Sequence, residues 1–252
     1  MKLHFVSSQA PEAIKAAQKL KHLFGQAQLD GADVIVALGG DGLMLETVHT
    51  VLESGQAIFG MNRGSVGFLM NEFETEGLVD RITAATETII HPLKMTVTDK
   101  QATTHSALAF NEVSMLRQRH QAAKLRISID GKIRLDELVC DGIIVATPAG
   151  STAYNLSAHG PILPINSPLL ALTPISPFRP RRWRGAILSH EAVVEIEMLE
   201  ADKRPVSAVA DQTEFRDIIK VVVSEDEKRS ARMLLDHGHT LAERVMNEQF
   251  QL

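Results

Sequence analysis

Val34-Ile35-Val36-Ala37-Leu38-Gly39-Gly40-Asp41-Gly42-Leu43-Met44-Leu45-Glu46-Thr47-Val48 is the stretch that decides the fold of the first third of the chain. Five apolar residues run into a glycine-rich turn, and the turn runs into an apolar helix start. A strand feeding a helix through so short a turn is half of a βαβ unit. The glycines also have a chemical use. Residues without side chains let the main chain approach a bulky polyanion closely, and N–H groups at a helix N-terminus attract negative charge, so Gly39, Gly40 and Gly42 suit phosphate. Asp41 repels phosphate. It either caps the helix or addresses a metal ion or a hydroxyl proton, and phosphoryl transfer to a hydroxyl uses both of the latter.

Outward from this stretch, strand-like segments at 3–6, 33–38 and 57–61 alternate with helix-like segments at 11–24, 43–52 and 76–85. Such alternation predicts parallel strands joined by crossover helices, a Rossmann-like α/β domain. Ile14, Ala17, Leu20 and Leu23 recur at helical spacing with lysines between them, which assigns them to the sheet-facing side of the first helix. Past His91-Pro92 the pattern changes to short period-two runs at 95–98, 124–129, 143–147, 193–198 and 218–223, the mark of a mostly antiparallel β domain. Asp130-Gly131 is a two-residue hairpin signal, because both central residues of that turn want positive φ. The proline-rich interval 161–180 reads as a structured loop. From Thr240 onward, Leu241, Val245 and Met246 mark one face of a short helix that returns to the first domain. The expected division is 1–92 plus about 236–252 as an α/β domain carrying the GGDG loop, and 93–235 as a β-rich domain.

Composition narrows the class. With 44% hydrophobic and 23% charged residues among 252, the chain matches an ordinary soluble protein, and no apolar run approaches the roughly 18 residues of a membrane span. The N-terminal residues have too short an apolar core for a secretory signal. Cys140 is the single cysteine, which excludes a disulfide framework or a thiolate metal cluster and fits a reducing cytoplasm. A net charge of -5 and 4% aromatic residues argue against nucleic acid as a partner.

Three further segments carry chemistry. The run from Asp141 to Asn155 places a buried strand before a Pro-Ala-Gly turn and then a helix start rich in hydroxyls. Ser151 or Thr152 either caps that helix or, with Tyr154, Asn155 and Ser157, meets a polar ligand. Asn111-Glu112 interrupts the apolar strand expected at 108–116. The asparagine amide matches a base edge and the carboxylate can accept from both hydroxyls of a ribose; an edge strand with two solvated residues is the other reading. The loop 62–69 follows the third parallel strand, where open α/β sheets bind ligands, and Phe68 there can stack on a base. Pro177-Phe178-Arg179-Pro180-Arg181-Arg182-Trp183-Arg184 gathers four arginines beside the only tryptophan, suited to phosphates or to a subunit contact. His237-Gly238-His239 is too short and isolated for a metal site.

GGDG at 39–42, Asn111-Glu112 and DGIIVATPAGSTAYN at 141–155 together resemble the NAD kinases in order and spacing. The likeness extends over most of the chain through the loop beginning Ala171-Leu172-Thr173-Pro174 and the Asp211-Gln212 turn. GGDG is shared with phosphofructokinases and with diacylglycerol and sphingosine lipid kinases; the other two segments are the specific ones. The resemblance implies an N-terminal α/β phosphate-donor domain, a C-terminal β-rich NAD-binding domain, a site in the cleft between them, and a homodimer or homotetramer. It implies transfer of the terminal phosphoryl group of ATP, with Mg2+ or another divalent cation, to the 2′-hydroxyl of the adenosine ribose of NAD; inorganic polyphosphate as a donor in place of ATP is left open. By the same resemblance Asp41 is the proton acceptor and Gly42 touches the nucleotide. Asn111, Glu112, Asp141, Thr152, Ala153, Tyr154, Asn155, Leu156, Ser157 and Gln212 hold NAD, with Phe68 and Ser176 as weaker transfers; no protein metal ligand is assigned, Mg2+ arriving with the nucleotide. Leu43 departs from the threonine that commonly follows GGDG, and the 177–184 loop is unusual in composition. Competing readings are a lipid kinase, which wants an acyl groove and a membrane-facing surface, and a non-catalytic NAD or NADP sensor.

Overall fold

The computed structural model describes every residue except 65–67, 182, 239–240 and 251–252. Ser65, Val66 and Gly67 of the expected ligand loop, Arg182 of the basic loop and Thr240 at the expected helix start lie outside the described residues. Two compact units result, Met1–His91 with Lys228–Leu252, and Pro92–Glu227.

The first unit begins β1 (Leu3–Ser7), α1 (Pro11–Phe24), β2 (Val34–Gly39), α2 (Asp41–Val51), β3 (Ala57–Asn62), α3 (Leu78–Ala84) and β4 (Thr86–Ile90). Pro11 starts α1, where its missing N–H costs nothing, and Gly25 at φ 77° ends it with its N–H on the Lys21 carbonyl. The buried face of α1 is Ala13, Ala16, Ala17 and Leu20, whereas Ile14 and Leu23 are 37% and 56% exposed. This corrects the face expected from the sequence. Alanines let the helix lie close on the sheet, so the stripe runs through 13, 16, 17 and 20, and Leu20 there contributes about 1.5–3 kcal/mol of burial.

The second unit carries β5 (Leu93–Asp99), β6 (Thr104–Ala109), β7 (Glu112–Arg117), β8 (Ala123–Ile129), β9 (Lys132–Cys140), β10 (Gly142–Ala146), the short helix α4 (Tyr154–Ser157), β11 (Leu169–Ile175), β12 (Ala186–Ser189), β13 (Val194–Met198), β14 (Val206–Ala210), β15 (Thr213–Phe215) and β16 (Ile218–Glu225). Its strands form two six-stranded antiparallel sheets, in orders β12-β11-β10-β7-β14-β15 and β6-β5-β16-β13-β8-β9. Val113, Met115, Ile143 and Val145 of one sheet share a single core with Leu125, Ile127, Val194 and Val221 of the other, a sandwich. Asp130 and Gly131 take φ of 52° and 73° between β8 and β9, the hairpin turn expected there.

Two expectations fail here. The strand at 108–116 is broken at Phe110-Asn111 into β6 and β7, which lie in different sheets. The interval 161–180 is not all loop, since β11 pairs with both β10 and β12 and buries Leu170, Ala171 and Leu172. Pro174 fits within it because the pairing to β12 ends at Leu169–Leu172, so no ladder hydrogen bond is lost on that side. Residues 171–174 are therefore strand rather than loop.

The chain then returns to the first unit as β17 (Ala231–Leu235) and α5 (Leu241–Glu248). β17 enters beside β3 in parallel and pairs with β4 antiparallel, completing the order β1-β2-β3-β17-β4. Val245 of α5 is buried and Met246 is exposed. Among the described residues no helix is long and apolar enough to cross a membrane.

Candidate active site

In the first unit, β2 ends in Gly39 and α2 begins at Asp41, with Gly40 extended before it. A Cβ on Gly39 would meet Leu43 Cδ2 at 2.8 Å, so packing asks for glycine there, and Leu43 serves as the residue that covers it. Added Cβ atoms on Gly40 and Gly42 would meet nothing within 4 Å. Those two glycines leave open space rather than filling a packing demand, as phosphate approach requires. Asp41 makes no cap bond to its own helix. Its Oδ2 instead accepts the Phe68 N–H at 2.7 Å and its Oδ1 the Leu69 N–H at 2.8 Å. Each oxygen keeps a further lone pair, and two backbone N–H groups fix the carboxylate. Phe68, expected as a base stacker, thus meets Asp41 through its backbone, and its side chain is half-buried.

In the second unit, Glu112 opens β7 opposite Ala146 of β10. The break before it is held from three sides. The Asp211 carboxylate, in a turn at φ 48°, accepts the N–H groups of Phe110 (2.7 Å) and Asn111 (3.1 Å). Thr147 Oγ1 donates to the Phe110 carbonyl at 2.7 Å, and the Thr147 N–H reaches the Asn111 carbonyl at 3.0 Å. Gly150 packs on Asn111 so closely that a Cβ would stand 2.1 Å from its carbonyl oxygen. With its backbone so fixed, the Asn111 side-chain amide makes no hydrogen bond to a described residue. Glu112 Oε2 is buried with no hydrogen-bond partner among the described residues. Burial, and next the charge of Asp211, push the Glu112 carboxyl up to about 7, against a hydrogen bond from the Tyr154 backbone N–H. Tyr154 is raised in turn by burial and by Glu112.

The helix expected after Pro148 is short, a 3-10 turn at Ala149–Thr152 followed by the four residues of α4. Asn155 is fully buried. Its Nδ2 donates to the carbonyls of Ser151 (3.1 Å) and Pro161 (2.9 Å), and its Oδ1 accepts from Thr173 Oγ1 at 2.7 Å. Ser151 is likewise spent, its Oγ donating to the Pro148 carbonyl and accepting the Leu163 N–H. Thr152, Ala153, Tyr154 and Leu156 are half-buried, Tyr154 beside Glu112, while Ser157, Ser176 and Gln212 are exposed. Ser157 and Ser176 meet across a cavity of about 940 Å³ also lined by Arg181, Trp183 and Arg184. Asp141 pairs with Arg117 at 2.5 Å, both partly exposed. Cys140 is buried, which pushes its thiol up to about 12, so it is a core residue.

Asp211, Thr147, Gly150 and Arg244 were missed as contributors by sequence reasoning. Gly150 carried a usable signal, being a glycine just past a buried strand where backbone approaches backbone. Asp211 stood out only through the Asp211-Gln212 turn of the family likeness; its backbone partner Asn111, 100 residues away in sequence, left no local sign of its role.

An ATP-NAD kinase N-terminal domain model matches residues 2–92, and an ATP-NAD kinase C-terminal domain model matches residues 110–233. The chain belongs to the NAD kinase family. It is 58% identical over 248 residues to an NAD kinase of Rhizobium meliloti, covering 98% of this chain and 96% of that one. It is 61% identical over 249 residues to an NAD kinase of Caulobacter vibrioides, covering 99% and 96%. Among solved structures, a yeast NADH kinase complexed with NADH matches with a TM-score of 0.85 at 20% identity, over 98% of this chain and 86% of that one. An Archaeoglobus fulgidus NAD kinase in complex with ATP matches at 0.79 and 24% identity, over 98% and 99%. Both structures share the fold, an N-terminal α/β domain and a C-terminal antiparallel β domain.

Proposed function

We propose that the chain transfers the terminal phosphoryl group of ATP to the 2′-hydroxyl of the adenosine ribose of NAD, with Asp41 taking the hydroxyl proton. The observation that carries this is the Asp41 carboxylate, clamped by two backbone N–H groups between glycines that leave open space. Phosphoryl transfer is mainly positioning and neutralisation of charge on the phosphoryl oxygens, and the glycine N–H groups of 39–42 serve the donor phosphates. What remains is the proton of a poorly nucleophilic hydroxyl. A carboxylate in hydrogen-bond reach contributes about 100-fold to 10,000-fold. Asn111, Glu112 and the 152–157 segment hold NAD in this reading, with the buried Oε2 of Glu112 waiting for a hydroxyl donor.

No group of three His, Cys, Asp or Glu side chains among the described residues could hold a metal ion. In this reading Mg2+ arrives with the nucleotide, keeping waters and taking substrate phosphates with at most one or two carboxylates. When bound, it neutralises phosphoryl charge. The same reading makes the protein cytoplasmic and a homodimer or homotetramer, which light scattering of the purified chain tests.

The decisive experiment incubates purified protein with NAD, ATP and Mg2+, with polyphosphate as a parallel donor, and follows NADP by a coupled assay. Asp41→Asn should lower turnover about 100-fold to 10,000-fold. Its NAD affinity should stay within about threefold, because the substitution leaves the NAD-holding residues alone. Near-normal turnover in the variant would remove Asp41 from the role of base.

A further inference from the structure

A residue outside every sequence motif grips the segment that grips Asp41. Arg244, in α5, donates from Nη1 to the carbonyls of Phe68 at 2.8 Å and Met70 at 2.6 Å. The N–H groups of the same stretch, on Phe68 and Leu69, are the two that hold Asp41. The Phe68 carbonyl and the Leu69 N–H belong to one peptide group. Guanidinium, peptide and carboxylate therefore form a single hydrogen-bonded chain, in which a bond at the carbonyl polarises the N–H and strengthens the bond it donates.

The far end of this segment is fixed separately. Asn71 donates from Nδ2 to the Leu234 carbonyl and accepts the Asp236 N–H at Oδ1, both at 3.0 Å. Arg81 binds Asp236 and the carbonyls of Glu72 and Glu74. None of these contacts reaches the Phe68–Leu69 amides. Arg244 is half-buried, and burial works against its charge while Asp41, Asp236 and Glu72 support it. Both bonds leave one nitrogen, Nη1, whose two N–H groups take the two carbonyls at once.

We propose that Arg244 is a positioning residue for phosphoryl transfer: by holding the Phe68 and Met70 carbonyls it fixes the amide pair that aims the Asp41 carboxylate. The proposal rests on the assignment of Asp41 as proton acceptor. It joins α5, which carries none of the sequence motifs, to the reacting groups.

The test combines steady-state kinetics with amide hydrogen exchange by NMR on full-length Arg244→Ala, Arg244→Gln and Arg244→Lys. Arg244→Ala and Arg244→Gln should lower kcat about tenfold or more, with the KM for NAD within about threefold, because the base is misplaced while NAD binding is intact. Exchange at Phe68 and Leu69 should speed up in both, with the β2 amides unchanged. Arg244→Lys should recover part of both kcat and protection. If Arg244→Ala does not fold, the Gln and Lys variants carry the comparison. Unchanged exchange at Phe68 and Leu69 would overturn the proposal, as would faster exchange with normal kcat. So would loss of protection spread evenly over the unit, which marks a merely structural helix anchor. Failure of the Asp41 assignment is seen separately, as turnover in Asp41→Asn.

Discussion

In the α/β unit both oxygens of Asp41 accept a backbone N–H, whereas in the β unit Glu112 keeps Oε2 buried with no hydrogen-bond partner among the described residues and its carboxyl rises to about 7. A carboxylate with its orientation already fixed can act on a proton without rearranging. A carboxylate buried without a partner is costly until a ligand's hydroxyl arrives, and relief of that cost becomes affinity. In the proposed reaction two acids of the same chemistry thus take different tasks, one for rate and one for binding.

The contrast can be broken most severely at Gly150. In Gly150→Ala the new Cβ collides with the Asn111 backbone, so Asn111 and Glu112 must shift. NAD affinity should fall on the order of 100-fold, the cost of a displacement near 1 Å. Calorimetry with NAD checks it, and normal affinity would show that the 110–112 break is not what positions the ligand.

Removing only the charge is milder. Glu112→Gln should weaken NAD binding about tenfold, the worth of a hydrogen bond to a charged group. It should also stabilise the free chain at pH 8. The folded-state value of Glu112 lies above its ordinary 4.5, so its contribution to stability is fully present below 4.5 and is lost as pH rises through about 7. The glutamine variant lacks that loss, a difference on the order of 3 kcal/mol at pH 8 measurable by urea unfolding. A variant no more stable than the parent at pH 8 would contradict the buried-acid description.

Smallest is the pH effect on the intact protein. If NAD binds the ionised Glu112, binding releases a proton, and affinity should rise with pH up to about 7 by less than about tenfold per unit, then level off. The groups facing this carboxyl, Asp211 and Tyr154, remain in the variant, so Glu112→Gln should flatten the slope. Calorimetry in buffers of different ionisation enthalpy reads the proton directly.

Much of the fold was legible because it is written in local periodicity. The 34–48 stretch specifies β2, turn and α2, and Asp130-Gly131 specifies a hairpin through the φ values its turn needs. Legibility failed where long-range contacts decide. Phe110-Asn111 reads as strand interior, yet Asp211 and Thr147 capture its backbone from distant segments. Pro174 reads as a loop former, yet sits where a neighbouring strand has already ended. The site followed the same rule. GGDG and Asn-Glu stand out as residue types, while Asn155, inside the most specific motif, is spent on internal hydrogen bonds. The helper residue Arg244 makes its contacts 176 positions away in sequence.

The division of labour between the two acids is tested most directly by measuring kcat and the NAD dissociation constant side by side for Asp41→Asn and Glu112→Gln. Asp41→Asn should lose at least about 100-fold in kcat and bind NAD normally, and Glu112→Gln should lose about tenfold in affinity and keep most of its kcat. The opposite pattern, or equal losses in both constants for both variants, would contradict it.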